Sequence, residues 1–358
     1  MEYAHLISSL LIYFPGVVFL ILLLMQHKTY ELTDISPYLG LFAVIFMAVC
    51  FALYPPLPGN DKYNYFVDYI RSGTHISTWA NKDPLWAYMT QTLNAILRKA
   101  NTFVYFLVIS LLYCYSYYVY AKTHYAKNVI TYFVIFAFGC ICFTGYGDNT
   151  IRGGIGLACI LLGMSTESRI KTAVLFIFAI FIHRSTLIPI TAYLVANKFN
   201  KTKLYLIIWG ICLVLSAAHV DVSSFFDMFT SVDKRVAEYA LSSASGEAAK
   251  IYNPRFRPDF VLYSFVPIFI MYRWIKKYAL DNTDSLRLFN TYLLVNSLWL
   301  LVIRIPYTDR FAYLSWFLIP MMLCDPILNE KIELNNYKNT LFLIMFMFVG
   351  VNIMLSFR

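Results

Sequence analysis

Charge is scarce in this sequence. Asp, Glu, Lys and Arg make up only 14% of its 358 residues, where soluble domains carry about 25%. That excludes an ordinary soluble domain with a membrane anchor. Acids are the scarcer sign: 20 Asp and Glu stand against 29 Lys and Arg, a net charge of +9. The basic excess does not indicate nucleic acid, because the aromatic residues lie in apolar runs and not in basic patches. In a membrane protein such an excess mostly sets orientation. CxxC spacing is absent. The seven cysteines (50, 114, 140, 142, 159, 212 and 324) all lie in apolar stretches, so no zinc site and no disulfide frame is indicated. Cys140 and Cys142 are too close in sequence for either role. No long-range repeat is visible, which counts against a transporter built on inverted repeats. The first apolar run lacks a basic leader, so it reads as a true first span and not as a cleaved signal.

Apolar residues are abundant. They form 59% of the chain, mean hydropathy is +0.60, and apolar runs of about 20 residues recur from end to end. The expected fold class is an all-α polytopic integral membrane protein with roughly ten to twelve transmembrane helices, residues 1–358 forming one transmembrane domain. Two long polar loops interrupt it, at 55–101 and 219–258. Within the first, Pro84–Lys99 is amphipathic, with Leu85, Tyr88, Met89, Leu93, Ile96 and Leu97 at helical spacing. It is expected at the bilayer interface or as a shallow dip. The 29 tyrosines suggest interfacial belts and, in loops, platforms for ring-shaped ligands.

Lys and Arg collect in 122–127, 165–171, 198–203 and 273–287, an expected cytoplasmic set. The opposite face then receives 55–101, 145–154, His183–Arg184, 220–258 and 304–310, provided that 171–198 crosses and returns as a hairpin.

Four constellations carry candidate chemistry. The first is His183–Arg184, in the middle of the otherwise apolar Lys171–Lys198. An arginine at the bilayer centre costs about 2.5–3.5 kcal/mol on insertion scales, so it needs a cavity or a partner. Pro189 follows five residues after Arg184 and breaks a helix just upstream. Two half-helices meeting at a polar site are expected; the plainer alternative is a hairpin turn in headgroup water. The second is Asp61-Lys-Tyr63-Asn-Tyr65-Phe-Val-Asp68-Tyr69, where rings alternate with polar groups as a sugar ligand requires, or as an aromatic belt does. The third is Arg152 in Asn149-x-x-Arg152-Gly153-Gly154-x-Gly156, a forked cation beside glycines that permit close approach, or a snorkelling arginine. The fourth is Arg304, Asp309 and Arg310 around a short turn, a diphosphate clamp or a local Asp309–Arg310 pair.

As an ordered set these pieces resemble the EpsG-like and Wzy-type polysaccharide polymerase family. They are Asn60-Asp61-x-Tyr63-x-Tyr65; Asp83-Pro84-Leu85-Trp86; Arg152-Gly153-Gly154-Ile155-Gly156-Leu157-Ala158; Phe181 to Pro189 around His183; and Asp309-Arg310-Phe-Ala-Tyr313 with a later Ile319-Pro320. Asp83 stands where the family motif is expected to carry Glu, and Arg184 where a small or apolar residue is common. The resemblance implies a bacterial inner-membrane enzyme of the GT-C-like membrane glycosyltransferase class. It would join undecaprenyl-diphosphate-linked repeat units at the periplasmic face, without metal or cofactor. Partners would be that lipid-linked oligosaccharide and the bilayer, with a chain-length regulator and a flippase. His183 is the first candidate for general base and Asp61 the second. Arg152, Arg184, Arg304 and Arg310 would stabilise the leaving diphosphate. Tyr63, Tyr65, Asp68 and Asp309 would hold sugar. A lipid-linked oligosaccharide flippase and a polysaccharide-modifying membrane acyltransferase are the alternatives.

Overall fold

The computed structural model describes residues 14–24, 36–58, 60–72, 77, 79–97, 101–218, 256–280, 284–305, 307–329 and 338–356. Most of the expected loop 219–258 lies outside the described residues. Every regular element described is helical. In chain order they are α1 Phe14–Leu24, α2 Pro37–Leu53, α3 Asp61–Arg71, α4 Pro84–Leu97, α5 Thr102–His124, α6 Ile130–Phe138, α7 Ile141–Asp148 and α8 Ile151–Met164. Then come α9 Arg169–Ile182, α10 Leu187–Lys198, α11 Thr202–Ala217, α12 Pro258–Tyr278, α13 Asp284–Leu301, α14 Thr308–Trp316, α15 Ile319–Leu328 and α16 Lys338–Ser356.

The chain forms two units: Met1–Leu187 with Cys324–Arg358, and Ile188–Leu323. In the first, α5 packs against α2 and α8, and α8 against α9, with α4 beside α9 and α3. Its core is aromatic. Tyr113 stacks on Phe143 at 5.1 Å, and Phe143 on Phe138 at 4.1 Å, joining α5 to α6 and α7. The Tyr113 hydroxyl donates to the Phe143 carbonyl at 3.2 Å, so the ring is buried without an orphaned polar tip. Tyr69, Tyr105, Tyr117 and Tyr120 are buried too. Much of the tyrosine content expected in interfacial belts is therefore core: Tyr113 reaches a carbonyl, and Tyr105 and Tyr117 reach the hydroxyls of Thr90 and Tyr113 at 3.2 and 3.4 Å.

In the second unit α13 packs against α11, α12 and α14. One buried amide ties the four helices together. Asn296 accepts from Trp209 Nε1 at 2.8 Å and donates to Ser264 and Ser315 at 3.1 and 2.9 Å, while Trp316 Nε1 donates to Ser264 at 2.7 Å. A satisfied polar node of this kind fixes one packing register.

Among the described residues two helices are long and apolar enough to cross a membrane, Thr102–His124 and Thr308–Leu328; the pair Lys127–Phe138 and Ile141–Asp148, bent by 71°, makes a third if counted as one span. The ten to twelve crossings expected from hydropathy do not appear as that many full-length helices. Breaks at Gly139–Cys140 and at His183 cut the apolar runs into pieces shorter than the ~20 residues that a bilayer needs. The shorter helices nevertheless turn apolar side chains outward. On α9, Ile170, Val174, Ile177, Phe178 and Phe181 form one exposed stripe; on α11, Leu204, Ile207, Ile211 and Val214 form another. Such stripes mark contact with lipid or with another protein.

Two expected loops are helical. Residues 61–71 of the first polar loop form α3, and only Asn149 and Thr150 separate α7 from α8 where a polar turn over 145–154 was expected. The glycines there serve packing: a Cβ on Gly147 would fall 2.3 Å from the Phe51 ring. On α4 the apolar stripe faces out, with Tyr88 72% and Ile96 68% exposed. The polar Thr90 and Asn94 face in and are satisfied by Tyr105 OH at 3.2 Å and the Tyr69 carbonyl at 2.5 Å.

Candidate functional site

The helix break expected within Lys171–Lys198 is present. Helix α9 stops at Ile182, His183 is extended (φ −155°, ψ 107°), Arg184–Thr186 make one 3-10 turn, and α10 begins at Leu187. Pro189 explains the position of the break. A helix running through it would need an N–H that proline lacks and would press its ring on the Ser185 carbonyl. In the first turn of α10 that missing donor costs nothing. The break rests on the glycine face of α8. A Cβ on Gly156 would sit 2.7 Å from Thr186 Cγ2 and 3.3 Å from His183 Cβ, and one on Gly153 would sit 2.8 Å from the Tyr146 ring.

Asp83 organises this junction. It lies in the turn before α4 and is fully buried. Its Oδ2 is 2.9 Å from Arg152 Nη1 and 3.9 Å from His183 Nδ1. Its Oδ1 accepts from the Arg184 backbone N–H at 3.1 Å. The Arg152 guanidinium also lies over the Trp79 ring at 3.8 Å. Arg152, α8, α9 and the pre-α4 turn are thus joined by one carboxylate. His183 is 18% exposed and Arg152 only 4%. Arg184 is exposed, and its Nη2 donates to the Asn81 carbonyl at 2.8 Å.

Arg152 was expected to grip phosphate oxygens, but its charge is taken up by Asp83 in a buried pair, and one face is covered by Trp79. The exposed cation of the junction is Arg184.

The residues of α3 divide. Asp61 and Tyr63 are half-buried. The Asp61 backbone N–H donates to Asn149 Oδ1 at 2.9 Å, which ties the start of α3 to the start of α8. Tyr65 is buried, 5.2 Å from Trp86 and 6.2 Å from Trp79 between ring centroids, so its ring supports the core and is not a platform for sugar. Asp68 is buried as well and accepts from Ser77 Oγ at 2.8 Å. Both were expected to hold sugar; in the structure both are buried, Tyr65 beside two tryptophans and Asp68 beside Ser77.

Lys62 was not singled out from the sequence. It is fully buried, donates to the Phe51 and Tyr54 carbonyls at 2.5 Å each, and lies 4.5 Å above the Phe106 ring. Burial pulls its ammonium down to about 7, against the opposing attraction of Asp148. It closes the C-terminal end of α2, where unpaired carbonyls attract a cation.

In the second unit Arg304 Nη2 donates to the Ser216 carbonyl at 3.2 Å, at the end of α11, and its guanidinium is 5.4 Å from the Phe256 ring. Arg310 lies over Tyr307 at 4.4 Å, and Tyr307 holds a left-handed backbone (φ 58°) ahead of α14. Asp309 is within electrostatic reach of Arg310 and of Arg257. Arg257 forks onto Asp259 at 2.7 and 3.0 Å. Three arginines and two carboxylates thus gather at the start of α12 and α14.

Among the described residues no group of three or more His, Cys, Asp or Glu side chains is placed to hold a metal ion.

The fold and the site define a class: a helical, membrane-embedded chain whose broken helix presents a histidine and an arginine over a buried acid. The family model described as the EpsG family matches residues 37–358, and the chain belongs to that family. The family is one of polysaccharide-polymerase-like membrane proteins. No curated protein matches the chain. No solved structure matches it.

Proposed function

We propose that this chain is a repeat-unit polymerase. It transfers a growing glycan from undecaprenyl diphosphate to a sugar hydroxyl of a new lipid-linked unit, at the periplasmic face of a bacterial inner membrane. The observation that carries the reading is the partly exposed His183 beside the exposed Arg184 at a helix break. In the step, the acceptor hydroxyl gives its proton to His183 as its oxygen bonds the anomeric carbon. The bond from that carbon to the diphosphate breaks, and the diphosphate leaves with the electron pair. Arg184 offsets its developing charge. Tyr63 and Asp61 remain accessible for the acceptor, with Asp61 the second candidate base. The outward apolar stripes of α9 and α11 support lipid contact by the shorter helices as well. They favour a polytopic architecture of roughly ten to twelve crossings, like that of GT-C membrane glycosyltransferases.

The test is the surface glycan of a deletion strain, with the chain restored or with His183→Ala restored at equal membrane level. Single repeat units in the deletion, long chains on complementation and single units again with His183→Ala are expected. Complete loss of surface glycan in the deletion would indicate a flippase and overturn the reading. So would full-length chains that lack one acyl group per repeat, which would indicate an acyltransferase.

A further inference from the structure

We infer that Asp83 is a positioning residue for this reaction, acting through His183. The inference rests on the polymerase reading and names the device that makes its base competent. The two oxygens of Asp83 do different jobs. Oδ1 holds the first backbone N–H of the 3-10 turn, that of Arg184, at 3.1 Å. This fixes where α9 ends and how the His183–Arg184 segment is presented. Oδ2 lies between Arg152 Nη1 at 2.9 Å and His183 Nδ1 at 3.9 Å. At 3.9 Å the Oδ2–Nδ1 approach is longer than a hydrogen bond, so the carboxylate acts on the ring as a nearby negative charge. It stabilises the imidazolium that forms when the proton arrives. Arg152 is the counter-charge that lets a fully buried carboxylate stay ionised there. Trp79 against the guanidinium and Gly153 and Gly156 beneath the break keep the assembly close.

Among the described residues, the groups placed around the His183 ring include Asp83 from the turn before α4, Arg152 from α8 and the Tyr146 ring from α7, which shares the space over Gly153, with Arg184 next along the chain. Removing the Asp83 charge takes away the one anion among them and leaves two cations. The imidazole then protonates less readily, and the acid limb of the rate profile moves to lower pH.

The assay uses permeabilised membranes of the deletion strain carrying each variant, with that strain's own accumulated lipid-linked repeat units as substrate. Polymer formation is followed from pH 5 to pH 9. Asp83→Asn is expected to lower the rate on the order of 100-fold or more, the scale of general-base catalysis, with the acid limb displaced downward. Asp83→Glu, which keeps the charge, is expected to restore long chains and the original limb. An Asp83→Asn rate and limb equal to those of the unaltered chain overturns the inference. An equal loss in Asn and Glu variants with an unmoved limb overturns it too, because only packing would then be at stake. If Asp83→Asn does not accumulate, Asp83→Asn with Arg152→Gln, which buries no lone charge, is compared with Arg152→Gln alone. The same rate and limb in those two overturns the inference; a lower rate and a displaced limb in the double variant support it. His183→Ala in the same membranes separates the two claims. Polymerisation surviving that change removes His183 as base. Polymerisation lost with His183→Ala but untouched by Asp83→Asn removes only Asp83.

Discussion

Replacing Arg152 by methionine tests whether the buried pair holds the site together. The unaltered pair is 2.9 Å long, with 4% and 0% of the two side chains exposed. Removing one partner strands a carboxylate in the interior, which costs about 3–5 kcal/mol. Loss of the guanidinium from the Trp79 face, 3.8 Å away, contributes about 1–2 kcal/mol within that figure. At about 2 °C per kcal/mol for a chain of this size, the unfolding midpoint in detergent should fall by roughly 6–10 °C. Arg152→Met combined with Asp83→Leu leaves no stranded charge, and apolar replacement of both partners of a buried pair is often neutral or stabilising. The double variant should therefore recover most of the loss. It will not recover all of it, because the Arg184 N–H loses its acceptor, at about 1–3 kcal/mol. The measurement is a double-mutant cycle by thermal unfolding of purified protein, with an expected coupling above about 2 kcal/mol. A midpoint within about 2 °C of the unaltered chain for Arg152→Met, or a double variant whose loss is the sum of the single losses, would refute the reasoning.

Gly156→Ala should destabilise by about 1–3 kcal/mol through overpacking and shorten the polymer, since its Cβ would meet Thr186 Cγ2 at 2.7 Å; normal chain ladders and an unchanged midpoint would count against the close approach. Arg184→Ala should leave stability within about 0.5 kcal/mol, as at most exposed sites, yet reduce polymer yield at equal protein level; unchanged yield would remove Arg184 from anion binding. Lys62 titrates near 7 in the folded chain and near 10.5 when unfolded. Between those values the unfolded state binds more protons, so the Lys62 contribution makes stability rise with pH. The midpoint of the unaltered chain relative to Lys62→Met should therefore climb from pH 7 to pH 10; a constant difference would show an ordinary surface-like lysine.

Much of the helical layout was legible in the sequence. The apolar run after Asn101, the break ahead of Pro189 and the glycine-lined start of α8 are local signals, and each appears where the pattern put it. The split of 127–148 into two helices bent by 71° was not legible, since the run holds no proline and an isolated Gly139 does not force a break. Tyr65 and Tyr63 look alike in sequence. Their roles part because Trp79 and Trp86 close over one of them. Asp83 was legible only as part of the Asp83-Pro84-Leu85-Trp86 resemblance, with no role of its own, yet it lies at the centre of the junction.

The sequence alone determined that the chain is helical, built for an apolar surrounding, and interrupted at His183–Arg184. Hydropathy, proline and glycine act on their nearest neighbours, and that information is written in order along the chain. Which charges meet was decided only by the tertiary structure. Asp83 and Arg184 are 101 residues apart, and nothing local says that the first caps the second or that it neutralises Arg152. Burial raises the cost of an unpaired charge so far that the partners must be found across the fold, and only the packed helices show which they are.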